Sequence, residues 1–187
     1  IHSHSPDAGD VDYFYDELGR LVASQNAEQK SFVVPGFDGL EQYSVTTFDA
    51  LGRIDKVGEY SVWYGKPLTK DIARGIDGDL SFEDWLKLGT LSDVTKTVYD
   101  APSSNSNAVN VAIEFNQFGT GEQEFNRNRI TCVEHYDTYE EGGRYSSAYH
   151  YRYNVHGLTT THLQHNPELF HTNGLEYKIT NYDFDLF

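Results

Sequence analysis

The chain has 187 residues, a net charge of −15, 14% aromatic residues (14 Tyr and 11 Phe among them), one Cys and no Met. So acidic a chain has no basic surface to neutralise phosphates or anionic headgroups, which argues against nucleic acid and acidic membranes as partners and leaves solubility as the plain meaning of the charge. A lone Cys132 excludes an internal disulfide and reads as a small buried residue, and no run of about 18 apolar residues marks a membrane-spanning helix.

Tyr and Phe favour strands, and the elements in chain order are mostly strands. Residues 1–10 are polar, with Pro6 and Gly9, and read as a linker. Val11–Tyr15 and Leu21–Gln25 read as a hairpin. Tyr13 and Tyr15 alternate with Phe14, so two rings face one side and one the other. Asp16 ends the first strand, because its carboxylate can accept from the N–H groups just ahead. Gly19 supplies the positive φ of a short loop, and Arg20 opens the return strand. Gln29–Gln42 reads as loop. Tyr43–Phe48 and Ile54–Trp63 form a second hairpin, with Asp49, Gly52 and Arg53 repeating the first corner.

Gly65–Gly89 breaks the pattern. Ser81 and Asp84 form an N-cap and its partner, predicting a helix over Phe82–Leu88 that Gly89 stops and that packs Trp85 on the sheet. Thr90–Asp100 is a strand ending in Tyr99-Asp100. After a polar loop at Ser103–Asn107, Val109–Phe115 alternates as a strand, and Asn116–Asn126 reads as exposed. Strands follow at Arg127–Tyr136, Arg144–Tyr153 and Thr159–Leu163, with a tight turn at Glu140–Gly143 and a turn region at Asn166–Gly174. Leu175–Phe184 is the last strand. Tyr182–Leu186 begins a further corner. With no Met in the chain, we expect one segment cut from a longer array.

The corner thus recurs as Y-F-Y-D-E-L-G-R-L at 13–21, T-F-D-A-L-G-R-I at 47–54 and Y-H-Y-R-Y-N-V-H-G-L at 149–158. R-L-V-A-S-Q-N-A-E-Q at 20–29, N-R-N-R-I at 126–130 and the run from Tyr149 to Pro167 accompany it. In these motifs the chain resembles the RHS/YD-repeat family, in the form found in large exported proteins of the Bacteroidetes and related to the teneurins. The resemblance implies a mainly β fold: a strip of antiparallel hairpins within a large curled β-shell, here with one short helix near 82–88. It implies a structural role, a cocoon that encapsulates or presents a C-terminal effector such as a toxin. The implied partners are the rest of the same polypeptide, its cargo and the type IX secretion machinery, at the cell surface or outside the cell. Tyr15, Asp16, Gly19, Arg20, Asp49, Gly52, Arg53, Tyr153, Asn154 and Gly157 carry the repeat turn. Asn154 stands where the repeat has Asp, and Leu158 where Asn commonly follows His-Gly. The family's self-cleaving motif with its Asp-Pro pair is not in the sequence.

Other chemistry is sparse. Asp77–Trp85 matches the second half of a calcium loop, but the register puts Ala73 and Gly75 at ligand positions, and a capped helix explains Ser81 and Asp84 equally. His162 and His165 are spaced H-x-x-H, which on a strand aims them at opposite faces, so no metal or cofactor is expected. Tyr149, Tyr151 and Tyr153 form either a stacking platform for sugars, as an adhesin would use, or an inner aromatic face. Acids are plentiful without a paired spacing, and no nucleophile motif occurs, so no catalytic residue is assigned. Arg20 and Arg53 are expected to tie neighbouring hairpins through a carboxylate or carbonyl.

Overall fold

A computed structural model describes residues 2–5, 9–30, 39–63, 65–105, 123–169 and 176–184. The strand expected at Val109–Phe115, His171, and Asp185 and Leu186 of the corner begun at Tyr182 lie outside the described residues. The fold is mainly β, with ten strands and three short helices among the described residues. It divides into two compact units, Ile1–Val94 and Thr95–Phe187.

In the first unit, β1 (His2–Ser5), β2 (Gly9–Tyr15), β3 (Leu21–Gln25), β4 (Leu40–Phe48) and β5 (Ile54–Trp63) follow one another as antiparallel neighbours. The stretch read as a linker therefore contains an edge strand. Its backbone pairs His2 with Asp12 and Ser5 with Gly9, and the His2 imidazole lies 3.0 Å from the Asp12 carboxylate. Phe14 is buried while Tyr13 and Tyr15 are half-buried on the opposite face, as alternation requires. Phe14, Ala23, Tyr43, Val45, Tyr60 and Val62 line the buried face.

That face is covered by the chain between β5 and β6 (Thr90–Tyr99). Helix α3 (Phe82–Leu86) begins as its sequence predicts: the Ser81 hydroxyl accepts from the Asp84 N–H at 3.1 Å and donates to the Asp84 carboxylate at 2.7 Å. The end differs. Lys87, not Gly89, is the C-cap, and Gly89 instead lets the chain pass close over β5, where a Cβ would meet the Ser61 carbonyl at 2.2 Å. A second helix, α2 (Lys70–Arg74), was not anticipated, although Thr69 caps it and Gly75 closes it in the left-handed region. Likewise α1 (Ala27–Lys30) rests on a reciprocal cap, with Gln29 N–H to Asn26 Oδ1 at 2.8 Å and Asn26 N–H to Gln29 Oε1 at 2.9 Å. Trp85 is fully buried at the centre, its ring 5.2 Å from Tyr43 and 4.4 Å from Tyr60.

The second unit takes the last five residues of β6, then β7 (Ile130–Tyr139), β8 (Ser147–Tyr153), β9 (Thr159–His165) and β10 (Tyr177–Asn181). β7 starts three residues later than expected, because residues 126–129 form a turn closed by Arg129 N–H to Asn126 O at 2.9 Å. Its buried face differs in kind from that of the first unit. Cys132, Glu134 and Tyr136 from β7, His150 from β8, and Thr161, Leu163 and His165 from β9 are all buried. Each polar group there has a partner. Glu134 accepts from Ser103 and from the Tyr136 hydroxyl (2.6 Å), with the Lys96 ammonium 3.9 Å away. His165 bridges the Tyr145 hydroxyl (2.6 Å) and the Glu176 carboxylate (2.7 Å). His150 Nε2 lies 3.7 Å from the Cys132 sulfur.

Candidate functional site: the strand corners and an aromatic groove

The corner residues singled out from the sequence form one repeated hydrogen-bonded device. At the first corner the Asp16 N–H donates to Arg20 O (3.0 Å) and the Gly19 N–H to Asp16 O (3.1 Å). One carboxylate oxygen of Asp16 accepts from the Leu18 and Arg20 N–H groups at 3.0 and 2.8 Å, and the other takes the Arg20 guanidinium Nε at 2.6 Å. The second corner repeats every bond. Asp49 N–H reaches Arg53 O at 2.8 Å and Gly52 N–H reaches Asp49 O at 2.9 Å. The Asp49 carboxylate then accepts from Leu51 N–H, Arg53 N–H and Arg53 Nε at 2.9, 2.9 and 2.7 Å. Gly19 and Gly52 sit at φ +75° and +78°, where a Cβ is strained. In both hairpins, and again before Tyr153, the strand register slips by one residue just ahead of the corner, which turns the chain into the loop.

The Asn154 corner shows which bonds define the device. Asn154 N–H donates to Leu158 O at 3.0 Å and Gly157 N–H to Asn154 O at 2.9 Å, while Asn154 Oδ1 accepts from His156 and Leu158 N–H at 2.9 and 3.0 Å. An amide oxygen thus replaces the carboxylate, and Leu158 removes the need for a charge. A further corner went unseen in the sequence because it is split. Asp100 ends β6 and Arg129 opens β7; Asp100 N–H donates to Arg129 O at 3.1 Å, and the Asp100 carboxylate accepts from Asn128 N–H at 2.6 Å. Asn128, at φ +58°, takes the place of the corner glycine. Both halves, Tyr99-Asp100 and N-R-N-R-I, were visible as motifs, but their distance in sequence hid the pairing.

The arginines act differently from expectation. Arg20 and Arg53 pair with the carboxylate of their own corner, because a residue four positions on is already within reach of Asp. The tie to the neighbour is made by the face of the guanidinium. Arg20 lies 4.4 Å over the Phe48 ring, and a Cβ on Gly52 would be 3.6 Å from its Nη1. In the second unit Arg129 repeats this, 5.5 Å from the Tyr153 ring and so close to Gly157 that a Cβ there would stand 2.5 Å from Nη2. In each unit the arginine of one corner covers the aromatic residue that precedes the next corner.

The carboxyl of Asp16 is held below the usual range. Burial alone would raise it, but the Arg20 N–H, the Arg20 guanidinium and the Leu18 N–H together outweigh that effect. Asp16→Ala removes all of these acceptor bonds and is expected to destabilise the first unit by about 2 kcal/mol, whereas Asp16→Asn, which keeps the backbone bonds as Asn154 does, is expected to cost less than about 1 kcal/mol. Urea unfolding at neutral pH measures both. An Asn variant as damaged as the Ala variant would show that the ion pair, not the backbone bonds, holds the corner.

Of the tyrosines proposed for stacking, Tyr153 is occupied: Arg129 covers its ring and its hydroxyl donates to Ile130 O at 2.6 Å. Tyr149 and Tyr151 flank the imidazole of His162 in a three-ring stack, with centroids 5.3 Å apart on either side and interplanar angles of 22° and 11°. His162 and His165 do face opposite sides of β9, so they do not converge. Beyond Tyr151 opens a groove of about 530 Å³ lined by Tyr151, Thr159, His162, Tyr182 and Phe184. Among the described residues the buried Nε2 of His162 has no hydrogen-bond partner. The half-loop resembling a calcium site is used by its own backbone: Asp77 Oδ1 accepts from the Asp79 and Leu80 N–H groups, and Asp84 caps α3 and pairs with Lys87. Cys132 is fully buried, and burial, then the nearby Glu134, pushes its thiol pKa up, away from the thiolate a nucleophile needs. The chain matches no family model, and no curated protein matches it.

Proposed function

We propose that this chain is a structural wall segment of RHS/YD-repeat type, part of a β-shell that encapsulates or presents a C-terminal effector of a secreted or cell-surface protein. The observation that supports this reading is the lateral clamp: the corners close on themselves through backbone bonds, and in each unit one of them offers an arginine face to the next. A hairpin is marginal alone. A device that fastens one hairpin to its successor suits a wall extended by addition, and the corner motifs resemble those of the RHS/YD-repeat family. On this reading Asp16, Asp49 and Asn154 end strands, Gly19, Gly52 and Gly157 turn the chain, and Arg20 covers the next hairpin. Its partners are the rest of the same polypeptide and the enclosed cargo. Limited proteolysis of the product of the whole reading frame tests it. The C-terminal cargo should resist protease until the shell unfolds; cargo digested as fast as the same segment expressed alone refutes encapsulation.

One observation favours a second reading, an adhesin module that binds carbohydrate. The open face of Tyr151, with Tyr182, Phe184 and the unpartnered His162 nitrogen, suits a stacked sugar with one hydroxyl bonded to the imidazole. A glycan array separates the readings: saturable binding lost in Tyr151→Ala supports the adhesin, and an empty array supports the wall alone.

A further inference from the structure

The polar interior of the second unit holds one pair that its neighbours do not account for. Cys132 on β7 and His150 on β8 stand directly opposite each other in the strand register and are 0% and 1% exposed. Their contact, 3.7 Å from Sγ to Nε2, is a weak hydrogen bond. Among the described residues it is the only side-chain hydrogen bond that either makes. The other buried ionisable groups of this face are better served. Glu134 accepts from Ser103 and Tyr136, and His165 bridges Tyr145 and Glu176. Burial pushes the His150 pKa down to about 3, so the ring is a neutral imidazole, the form that ligates metals. Leu163 is its partner on β9, and the nearby Tyr145 hydroxyl is taken by His165. Among the described residues no third Cys, His, Asp or Glu converges on the pair.

We propose that Cys132 and His150 form a buried two-ligand site for a soft monovalent metal ion, Cu(I). The donor set selects the element, because a thiolate sulfur and an imidazole nitrogen together suit copper. The count of donors disfavours Zn(II), which takes four. Charge selects the valence. On binding, the Cys132 S–H bond breaks, its proton leaves to solvent, and a sulfur–copper bond forms; one thiolate and one Cu(I) then sum to zero. A divalent ion in the same place would leave a net positive charge buried, at high cost. Glu134 is not free to offset it, since its carboxylate is bonded to Ser103 and Tyr136 and has the Lys96 ammonium 3.9 Å away. The spacing fits one ion. With bonds of about 2.3 Å to sulfur and about 2.0 Å to nitrogen, an ion between the two atoms subtends an angle of about 120°, and a small turn of the imidazole opens it toward linear. This site is independent of the wall reading.

Anaerobic titration of the 187-residue chain with Cu(I), buffered by the competing chelator bicinchoninate, tests the proposal. One equivalent is expected to bind at the cysteine, with slow uptake because both side chains are closed off from solvent. Affinity should rise roughly tenfold per pH unit across neutrality, as the thiol proton is displaced. Cys132→Ser keeps the size of the side chain and loses the thiolate, so it should lower affinity by roughly a hundredfold or more, with its melting curve as the folding control. X-ray absorption on the loaded parent should show one sulfur and one nitrogen bound to copper, a reading that needs no variant. The proposal is overturned by absence of a bound equivalent, by equal affinity in the folded Cys132→Ser chain, by a copper shell without sulfur, or by Zn(II) held as tightly as Cu(I).

Discussion

Trp85→Ala is expected to destabilise the first unit by about 4 kcal/mol, the largest effect of any single truncation there. Trp85 is 0% exposed and packs edge-on to Tyr43, tilted against Tyr60 and stacked on Phe82 at 5.8 Å. Its indole N–H donates to Lys66 O at 2.8 Å, and its own carbonyl accepts the Tyr60 hydroxyl at 2.6 Å. Truncation leaves a cavity among rings that cannot close over it, and it orphans the Lys66 carbonyl. The consequence should be local before it is global. The chain from Lys66 to Leu88 is held by this one side chain from the middle, with Leu68 and Ile72 as smaller anchors. Hydrogen exchange should therefore rise across α2 and α3 in Trp85→Ala, while Trp85→Phe, which keeps ring contacts and loses the N–H, should cost about half as much. Unchanged protection of α2 in the Ala variant would show that the inserted helices do not depend on Trp85.

The second large effect is on acid stability, and it belongs to the second unit. Burial first, then the positive charge that His165 and His162 would carry, pushes the His150 pKa down to about 3 from 6.5. His165 is lowered as well by burial, with the bond to Glu176 offsetting part of that. The unfolded chain takes up a proton at His150 near pH 6.5 and the folded chain does not until about pH 3. Stability is therefore complete above about pH 6.5 and falls as the pH drops through that window, by about 1.4 kcal/mol per pH unit for His150. Between pH 7 and pH 4 the loss from this residue amounts to about 3 kcal/mol. The carboxylates of Asp16 and Asp49, whose pKa values are lowered, contribute only below their usual 3.8, so the two windows are separable. The groups facing His150 are the Cys132 thiol, 3.7 Å away, and the Tyr145 ring at 6.3 Å, neither of which holds a negative charge to stabilise an imidazolium. Denaturation midpoints measured from pH 7.5 to pH 4 should slope upward with pH in the parent and more shallowly in His150→Leu. Equal slopes would place the acid sensitivity elsewhere.

What the sequence made legible was local. Asp16, Gly19, Asp49 and Gly52 announce their corners because every bond of the corner lies within five consecutive residues. Ser81 and Asp84 announce α3 for the same reason. Signals of equal quality at Asn26–Gln29 and Thr69–Gly75 were overlooked since the helices they cap span only a turn. β1 was hidden because His2–Ser5 carries no apolar alternation; an edge strand can pair through its backbone without it. The split corner and the arginine faces over Phe48 and Tyr153 needed partners from distant parts of the chain. The polar interior of the second unit was the least legible. Glu134, His150 and His165 look like surface residues until Ser103, Tyr145 and Glu176 arrive to satisfy them.

The split corner carries one more consequence. Its bonds run between Asp100 on one side and Asn126, Asn128 and Arg129 on the other. Asn105 is separately moored to Tyr136 and Gly143, and Gln123 to the carbonyls of Thr131 and Tyr151. The bend is thus fastened at points far apart in the sequence, each by its own bonds.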